Sequence, residues 1–424
     1  MGCSQGGVAE PVHEASLMKI AYFSTQMPYP PNHGGRVDDW RRLCALKTAG
    51  ARIHLVTWCS DRPGERPEPG HLEALYAVAE VVHVWPIRRT LDERLMRLMR
   101  LTRWPSHVAS RMLSRQQWSV LRQSLEAFAP DVVWQDGLYS YTTAHRAAQA
   151  MGVPRFYRSH NIEHVYMARQ VAKATSWRDK LAWGLNLPHL RRVEHAAVAG
   201  AAAYFDISTD DLAYWSGLGL KRGYWLPPLV DPVFAGRLSE PRETPPRFDV
   251  AYLGNLHAPN NVEGVLWFAR EVMPRLRAHR PEIRVMVAGS QPTVVIRETL
   301  SRTPGVTLVE NAPDVVSVLR DARVLVNPIF VGSGVNVKSV EMLFAPAHLV
   351  STPQGVAGLP PHVQACFALA QTANAFAEAV LAKIDTLEPH ADTLRVAARA
   401  EFGFERVQQM LEVMGRVTSV EAVA

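Results

Sequence analysis

The sequence predicts an α/β protein built from two Rossmann-like domains. Its 424 residues, 47% of them hydrophobic, can bury two cores, because a typical domain takes about 100–200 residues. The pattern of strand, polar or glycine-bearing turn, helix and strand occurs twice, first from residues 18–25 and again from 248–255. A stretch rich in proline and charge separates the two series. We therefore predict two domains and a linker, at 18–228, 248–399 and 229–247.

Charge and cysteine content narrow the class of protein. The formal net charge of +6 is modest for this length, and no nucleic-acid recognition motif is present, so we predict no nucleic-acid partner. Cys3, Cys44, Cys59 and Cys366 are scattered, which is typical of a reducing compartment and gives no close pair for a zinc site. No run of about 20 apolar residues is available to span a membrane. These features predict a cytoplasmic protein.

The amino-terminal residues 1–17 have neither an apolar core nor a basic start, so they do not have the pattern of a secretory signal. The first strand of the domain, MKIAYFST, begins directly after them. We predict that these residues form a disordered extension.

A glycine pair follows the first strand. His33, Gly34 and Gly35 open the helix that runs to Gly50, and ARIHLVTW is the next strand. The dinucleotide fingerprint G-x-G-x-x-G is absent, so the glycines predict a close approach of the backbone to another group at the sheet edge. A simple helix-entry turn is the alternative.

The stretch 88–122 is strongly basic, and leucine, methionine and tryptophan recur in it at helical spacing. One interpretation is a basic amphipathic helix that lies on an anionic membrane through Trp104 and Trp118. The other is that Leu95, Leu98 and Leu101 pack on the sheet while the arginines face water. We favour the packed helix slightly, because most amphipathic helices of globular domains are of this kind.

Polar residues end the next two strands of the first domain, DVVWQDG and VPRFYRSHN. Since the carboxyl ends of parallel strands face the ligand crevice, we expect Asp136, His160 and Asn161 to lie there. The sequence HNIEH is not the zinc motif H-E-x-x-H, and we predict no metal. The following helical segment, 162–200, places Glu194 at a polar position.

In the second domain, the stretch 322–359 carries the strongest signal for a binding site. An apolar strand is followed by a turn with Gly332 and Gly334, and then by an apolar-periodic helix with Lys338 near its start. Free amide groups and the positive end of the helix dipole suit a phosphate, and Glu341, on the same helix face, suits the two hydroxyls of a ribose. On spacing alone, an exposed Lys338–Glu341 pair beside an ordinary turn is an equal alternative.

The segment GSGVNVKSVEMLFAPAHLVSTPQGVAGL resembles the donor-binding segment of retaining GT-B glycosyltransferases of family 4. The resemblance implies two Rossmann-like domains facing a central cleft, with Glu341 binding the ribose of a nucleotide sugar. Ser333 stands where many members have an acid, and Asn255 stands where an arginine is common. Phosphate binding then depends on Lys338 and the backbone amides. The full predicted donor set is Gly254, Asn255, Gly332, Ser333, Gly334, Val335, Lys338 and Glu341.

The same resemblance assigns roles in the first domain. His160 matches the histidine that contacts the donor sugar or the acceptor, and the turn at His33, Gly34 and Gly35 is expected between the two domains. The last helix, 400–416, is expected to pack back on the first domain. The implied function is transfer of a sugar to a glycan or lipid-linked acceptor in bacterial surface polysaccharide synthesis. No cofactor is implied, and contact with the inner face of the membrane would follow from a lipid-linked acceptor.

Three other functions fit parts of the pattern. A sugar-nucleotide epimerase or a phosphorylase can share this scaffold, and the phosphorylase would need a lysine-bound pyridoxal cofactor. An inactive partner of another transferase would explain Ser333 and Asn255. A nicotinamide-dependent oxidoreductase is disfavoured, because neither domain carries the pyrophosphate fingerprint.

Overall fold

The computed structural model describes most of the chain, and the described ranges are 18–32, 34–61, 66–87, 90–101, 103–173, 176–242, 244–332, 334–386 and 393–421. The predicted extension 1–17 lies outside these ranges, as do the predicted site residues His33 and Ser333. The described residues form two parallel sheets, each flanked by helices.

The strands are short, and four of them are buried over their whole length. In chain order they are β1 (Lys19–Ser24), β2 (Arg52–Ser60), β3 (Val81–Ile87), β4 (Val132–Asp136), β5 (Arg155–Ser159), β6 (Ala203–Asp206), β7 (Gly223–Trp225), β8 (Phe248–Asn255), β9 (Val285–Ser290), β10 (Val306–Glu310), β11 (Ala322–Asn327), β12 (His348–Ser351) and β13 (Ala368–Leu369).

Helices connect almost every pair of consecutive strands, as parallel pairing requires. They are α1 (Gly34–Thr48), α2 (Pro69–Val78), α3 (Leu91–Arg100), α4 (Ser106–Ala109), α5 (Arg115–Phe128), α6 (Tyr141–Met151), α7 (Glu163–Lys173), α8 (Trp177–Ala199), α9 (Thr209–Gly217), α10 (Pro232–Ser239), α11 (Pro259–Trp267), α12 (Met273–His279), α13 (Val294–Ser301), α14 (Val315–Arg320), α15 (Val337–Phe344), α16 (Pro361–Gln364), α17 (Ala373–Ile384), α18 (Thr393–Ala400) and α19 (Arg406–Glu421).

Each sheet with its helices forms one domain, the first and the second in chain order. The first sheet has the order β3-β2-β1-β4-β5-β6-β7, and the second has the order β10-β9-β8-β11-β12-β13. All the strand pairs are parallel. The strand order reverses beside β1 and beside β8, and ligands bind at such switch points. The prediction of two Rossmann-like α/β domains is confirmed.

The connection between the domains and the end of the chain both form helices that pack on a core. In the segment predicted as a linker, α10 contributes Leu238 and Phe234 to the core of the second domain. The final helix, α19, places Val407, Met410 and Met414 in the core of the first domain beside β1. The chain therefore crosses between the domains twice, which ties the two units together at one edge.

The basic stretch of the first domain differs from the favoured expectation. It forms α3, α4 and α5, and α3 packs mainly against α4 rather than on the sheet. Leu95 and Leu98 are 60% and 63% exposed, so the prediction that they pack on the sheet is wrong. Arg100 and Arg111 instead turn inward and donate hydrogen bonds to backbone carbonyls, those of Ala109 and Thr25 among them. Backbone carbonyls at the end of α4 and after β1 therefore hold the arginines inside, and the leucines remain in water.

The two tryptophans of this stretch are not free to anchor it to a membrane. Trp118 is buried in the core of the first domain and lies under the guanidinium of Arg146, so that part of the membrane interpretation is wrong. Trp104 is partly buried against the α8 side of the domain. None of the described helices is long and apolar enough to cross a bilayer.

Candidate active site

A cavity of about 1200 Å³ lies between the two domains. Both switch points open into it, so its walls come from α1, the ends of β5 and β8, and the start of α15. Most of the predicted site residues line it, namely Gly34, Gly35, His160, Asn161, Gly254, Asn255, Gly332, Gly334, Val335, Lys338 and Glu341. Asp136 does not, because its side chain is buried behind His160, and its expected place in the crevice is corrected accordingly.

The glycine turns let the domains approach each other closely. Gly334 has a φ of +64°, and a Cβ at this position would lie 2.4 Å from the carbonyl oxygen of His160. A Cβ on Gly34 would lie 3.7 Å from Val337, the first residue of α15. The amino ends of α1 and α15 are therefore neighbours across the cavity. Two positive helix ends that face one space favour an anion there.

A second contact joins the domains on the far side of α15. The amide of Thr209 donates to the carbonyl of Gly358 at 2.9 Å, and the amide of Gly358 donates to Asp210 Oδ2 at 3.1 Å. Gly358 has a φ of +77°, and a Cβ there would lie 2.5 Å from the Ser208 hydroxyl. The loop that contains Gly358 in the second domain is therefore hydrogen-bonded to the start of α9 in the first domain.

The first turn of α15 carries no side-chain cap. Asn336 occupies the cap position without a hydrogen bond from its side chain to the helix. Both Asn336 and Val337 line the cavity. The uncapped amides of this turn are therefore available to a ligand.

Lys338 is held by neutral partners. Its Nζ donates to the Tyr252 hydroxyl at 2.9 Å and to Asn261 Oδ1 at 3.0 Å, and it lies over the Tyr252 ring. Among the residues that the structure describes, no carboxylate lies within ion-pair distance of this ammonium group. Burial lowers the pKa of Lys338 to about 7. A bound anion would supply the missing counter-charge.

Glu341 is paired across the cavity rather than with Lys338. Its Oε1 accepts a hydrogen bond from Arg41 Nη2 at 2.7 Å, and both side chains are mostly buried. The alternative of an exposed Lys338–Glu341 pair is therefore wrong. Arg41 was not among the predicted site residues, although it stands seven residues after Gly34, two turns along the same helix face.

His160 lies between two carboxylates. Its Nε2 is 2.5 Å from Asp136 Oδ1, and its Nδ1 is 3.6 Å from Asp38 Oδ2. Burial lowers the pKa of His160, but the charge and hydrogen bond of Asp136 more than offset this and raise it above the usual value. The two carboxylates therefore favour the protonated imidazole, and its Nδ1 lies beyond hydrogen-bond distance of Asp38.

A buried network supports this histidine. Arg42 contacts Asp38 at 2.5 Å and Asp136 at 3.2 Å, and Arg158 donates to Asp38 at 3.0 Å. Burial raises the pKa of the Asp136 carboxyl, but Arg42 and then His160 hold it well below its usual range. Tyr22 lies within hydrogen-bond distance of Asp136. The two arginines thus offset the charges of Asp38 and Asp136 behind the cavity wall.

A third carboxylate of this buried network behaves differently. Asp39 accepts hydrogen bonds from the Ser24 and Tyr22 hydroxyls. Burial and the charge of Asp136 raise the pKa of Asp39, so it holds its proton more readily than an ordinary aspartate. None of Asp38, Asp39, Arg42 and Arg158 was predicted from the sequence.

The wall on the α7 side of the cavity is polar and aromatic. Glu163 accepts a hydrogen bond from the Tyr139 hydroxyl at 2.8 Å, and Tyr166 and Gln170 follow along α7. Burial raises the pKa of Glu163 to about 7. Glu194, expected at a polar position, is fully buried instead and accepts hydrogen bonds from the first amides of α7 and from His164. Glu194 is buried because the amides at the start of α7 need hydrogen-bond acceptors inside the domain.

Within the described ranges, no group of three or more histidine, cysteine or acidic side chains is arranged to hold a metal ion. The residues of the HNIEH segment are dispersed, because His160 pairs with Asp136 while His164 pairs with Glu194.

Two sequence comparisons bear on this site. Residues 247–385, which run from the start of β8 to the end of α17, match the family described as Glycosyl transferases group 1. A Klebsiella pneumoniae protein, described as an uncharacterized 44.6 kDa protein in the cps region, is 24% identical over 355 residues. That alignment covers 81% of this chain and 84% of the Klebsiella protein.

Solved structures share the two-domain architecture. Sucrose-phosphate synthase from Thermosynechococcus elongatus superposes with a TM-score of 0.64 at 15% identity, covering 95% of this chain and 100% of that one. Anabaena HepE in complex with UDP and glucose superposes with a TM-score of 0.60 at 12% identity, covering 94% of this chain and 100% of that one. The likeness identifies the arrangement of the two domains as GT-B. The chain has the GT-B fold, and its residues 247–385 carry a group 1 glycosyl transferase domain.

Proposed function

We propose that this protein is a retaining, family 4 type transferase that moves a sugar from a nucleotide-diphosphate sugar to a glycan or lipid-linked acceptor in bacterial surface polysaccharide synthesis. The observation that carries the proposal is the start of α15, where uncapped amides, Lys338 and Glu341 all border one cavity between the domains. UDP and glucose in the HepE structure, and the cps region of the Klebsiella relative, support this choice of substrates.

The donor is proposed to bind along α15. The diphosphate lies at the helix start, where the amides of Gly334 and Val335 and the Lys338 ammonium can contact it, and Glu341 accepts hydrogen bonds from the ribose hydroxyls. Asn255 lines the same space, but its Oδ1 already accepts from the amide of His257. Phosphate binding therefore depends mainly on α15 and Lys338.

Departure of the diphosphate is the step that needs electrostatic help. Negative charge develops on the leaving oxygen, and fixed helix amides and a protonated Lys338 stabilise that charge more strongly in the transition state than in the bound donor. The Asp136 carboxylate favours the protonated form of His160, and we propose that His160 donates a hydrogen bond from Nδ1 to a hydroxyl of the donor sugar or the acceptor. We propose no metal or cofactor for this reaction.

The acceptor is proposed to enter along the α7 wall. Tyr139, Glu163, Tyr166 and Gln170 offer rings and hydrogen-bond acceptors suited to sugar hydroxyls. A cavity of about 1200 Å³ exceeds the usual ~300–1,000 Å³ of a small-molecule site, and this leaves room for an acceptor beside the donor.

A lipid-linked acceptor would place the protein on a membrane surface. The outer face of α3 exposes Leu91, Leu95 and Leu98, and the start of α8 exposes Trp177 and Leu181. Exposed cations, Arg178 and Lys180, stand beside this second group. We propose that these apolar side chains enter the interface of an anionic bilayer while the neighbouring cations contact lipid phosphates.

Replacement of Glu341 tests the donor site. In Glu341→Gln the carboxylate charge is lost at nearly constant shape, and we expect binding of UDP to weaken about tenfold, because a hydrogen bond to a charged group is lost. The measurement is isothermal titration, with thermal unfolding as the check on folding. Slow hydrolysis of UDP-glucose or another nucleotide sugar without acceptor separates an enzyme from an inactive partner. Wild-type binding by a folded Glu341→Gln protein would remove the assigned role of Glu341.

A further inference from the structure

Arg41 joins the two walls of the cavity. Its Nη2 donates to Glu341 Oε1 at 2.7 Å, across 300 positions of sequence. Within the described part of the chain, the other carboxylate oxygen, Oε2, accepts no hydrogen bond. Arg41 therefore engages half of the carboxylate and leaves the other half to the cavity.

Arg41 is itself held in place by the connection between the domains. Its Nη1 donates to the carbonyl of Leu229 at 3.2 Å, and its guanidinium lies over the ring of Phe234 in α10, 5.2 Å from the ring centre. The side chain is only 11% exposed. A guanidinium fixed on three sides has little rotational freedom to lose when a ligand arrives, so its geometry is set in advance.

We propose that Arg41 is a positioning residue of the nucleotide site. It holds Glu341 by Oε1 and so directs Oε2 toward the ribose hydroxyls of the donor. This inference rests on the proposed function, because it takes Glu341 as the ribose acceptor.

Arg41 also links Glu341 to the connection between the domains. It contacts Leu229 and Phe234 of that connection, so the orientation of Glu341 depends on the observed arrangement of the two domains.

A competing role makes the opposite prediction. If Arg41 occupied the carboxylate in place of the ribose, its removal would free Glu341 and tighten donor binding. The contact through a single oxygen favours positioning over competition, because Oε2 stays available while the ion pair is intact.

The test compares a nucleotide that has its ribose hydroxyls with one that lacks them. Binding of UDP and of its dideoxy form is measured for the wild type, Arg41→Met and Glu341→Gln by isothermal titration. If GDP or ADP gives a larger thermal shift than UDP, that nucleotide and its dideoxy form are used. Methionine keeps an apolar stem on Phe234, and Arg237→Met, which removes the exposed ion pair of Arg237 with Asp314 at 2.7 Å, is the matched control.

We expect Arg41→Met to weaken binding of the full nucleotide about tenfold and to leave binding of the dideoxy form nearly unchanged. Equal weakening for both nucleotides would overturn the inference, since Arg41 would then act on the phosphates or on folding. Tighter binding of the full nucleotide would also overturn it, in favour of competition.

Failure of the inference and failure of the proposed function give different results. Glu341→Gln could weaken binding of the full nucleotide only, while Arg41→Met has no effect on binding. That result would support the ribose site and contradict the role proposed for Arg41. If Glu341→Gln does not distinguish the two nucleotides, or if none of the three nucleotides binds, the proposed donor site falls together with the inference.

Discussion

The two walls of the cavity each bury a cation, and they treat it in opposite ways. In the first domain, burial lowers the pKa of Arg42, but Asp38 and Asp136 outweigh this and raise it above its usual value. In the second domain, burial lowers the pKa of Lys338 to about 7, because its partners Tyr252 and Asn261 are neutral. The buried arginine of the first wall pairs with carboxylates, whereas Lys338 has only neutral partners among the residues that the structure describes.

This difference assigns different tasks to the two domains. A balanced network of buried charges holds its groups rigidly, and here it fixes His160 at the cavity edge. Burying a charged ammonium group beside neutral partners costs free energy. A bound anion offsets this cost, so the burial of Lys338 favours anion binding. The first domain would then orient the reacting sugar and the second would bind the diphosphate.

The largest expected effect comes from removing a carboxylate of the balanced wall. We expect Asp136→Asn to lower the free energy of unfolding by about 3–5 kcal/mol, because it leaves Arg42 and His160 buried with less counter-charge. Urea unfolding measures this change. The control is Glu310→Gln, which removes an exposed ion pair with Arg297 at 2.7 Å and should lower the stability much less. Similar losses in both variants would contradict the claim that the first wall is a buried, balanced network.

Local sequence pattern was enough to predict the architecture. Apolar runs bounded by glycine turns identified β1 and β11, and helical spacing identified α1 and α15, because these signals depend on neighbouring residues. The choice of partners for the polar side chains depends on contacts far apart in the chain. Arg42 and Asp136 are 94 positions apart, and Arg41 and Glu341 are 300 positions apart. No local sequence pattern therefore predicts either pair.

The basic stretch 88–122 is a second case in which local sequence pattern did not predict long-range contacts. Its periodicity correctly predicted helices, but periodicity does not tell which face of α3 is covered. The orientation of α3 depends on the carbonyls of Ala109 and Met112, which accept hydrogen bonds from Arg100. Both carbonyls lie outside α3. Glu194 was misassigned for a related reason, since its partners are the amides at the start of another helix.

A smaller effect is expected from the unbalanced wall. Lys338→Met removes a buried ammonium group that pairs with no carboxylate of the described residues, so we expect the protein to remain at least as stable as the wild type. Below pH 7, binding of UDP should weaken about tenfold to a hundredfold, because a charge-assisted contact to phosphate is lost. Lys221→Met, which changes an exposed lysine, is the control. A large loss of stability in Lys338→Met would show that the lysine supports the fold rather than the ligand.

The pH dependence of the same variant sharpens the comparison. The pKa of Lys338 in the free protein is about 7, and phosphate binds its protonated form, so wild-type affinity should fall as the pH rises above 7. Ionisation of the nucleotide itself adds its own pH dependence, which Lys338→Met retains. The difference between the two titrations from pH 6 to pH 9 therefore reports Lys338. Parallel curves would mean that the lysine does not contact the phosphates.

The smallest effect concerns the outer surfaces of the two domains, which also differ. The first domain exposes leucines along one face of α3, whereas on α13 the second domain exposes an adjacent pair of valines, Val294 and Val295. We expect the double variant Leu95→Ser, Leu98→Ser to bind vesicles of phosphatidylglycerol and phosphatidylethanolamine about tenfold more weakly than the wild type, because each leucine loses part of its burial free energy.

The double variant Val294→Ser, Val295→Ser is the matched control, with cosedimentation as the measurement. Vesicles of phosphatidylcholine alone should bind the wild type less well, because they remove the attraction between anionic lipid and Arg178 or Lys180. No binding by the wild type, or equal losses in the two variants, would remove the membrane proposal. Light scattering could instead show a dimer for the wild type and a monomer for the leucine variant. The exposed face of α3 would then bind a second copy of the chain rather than a membrane.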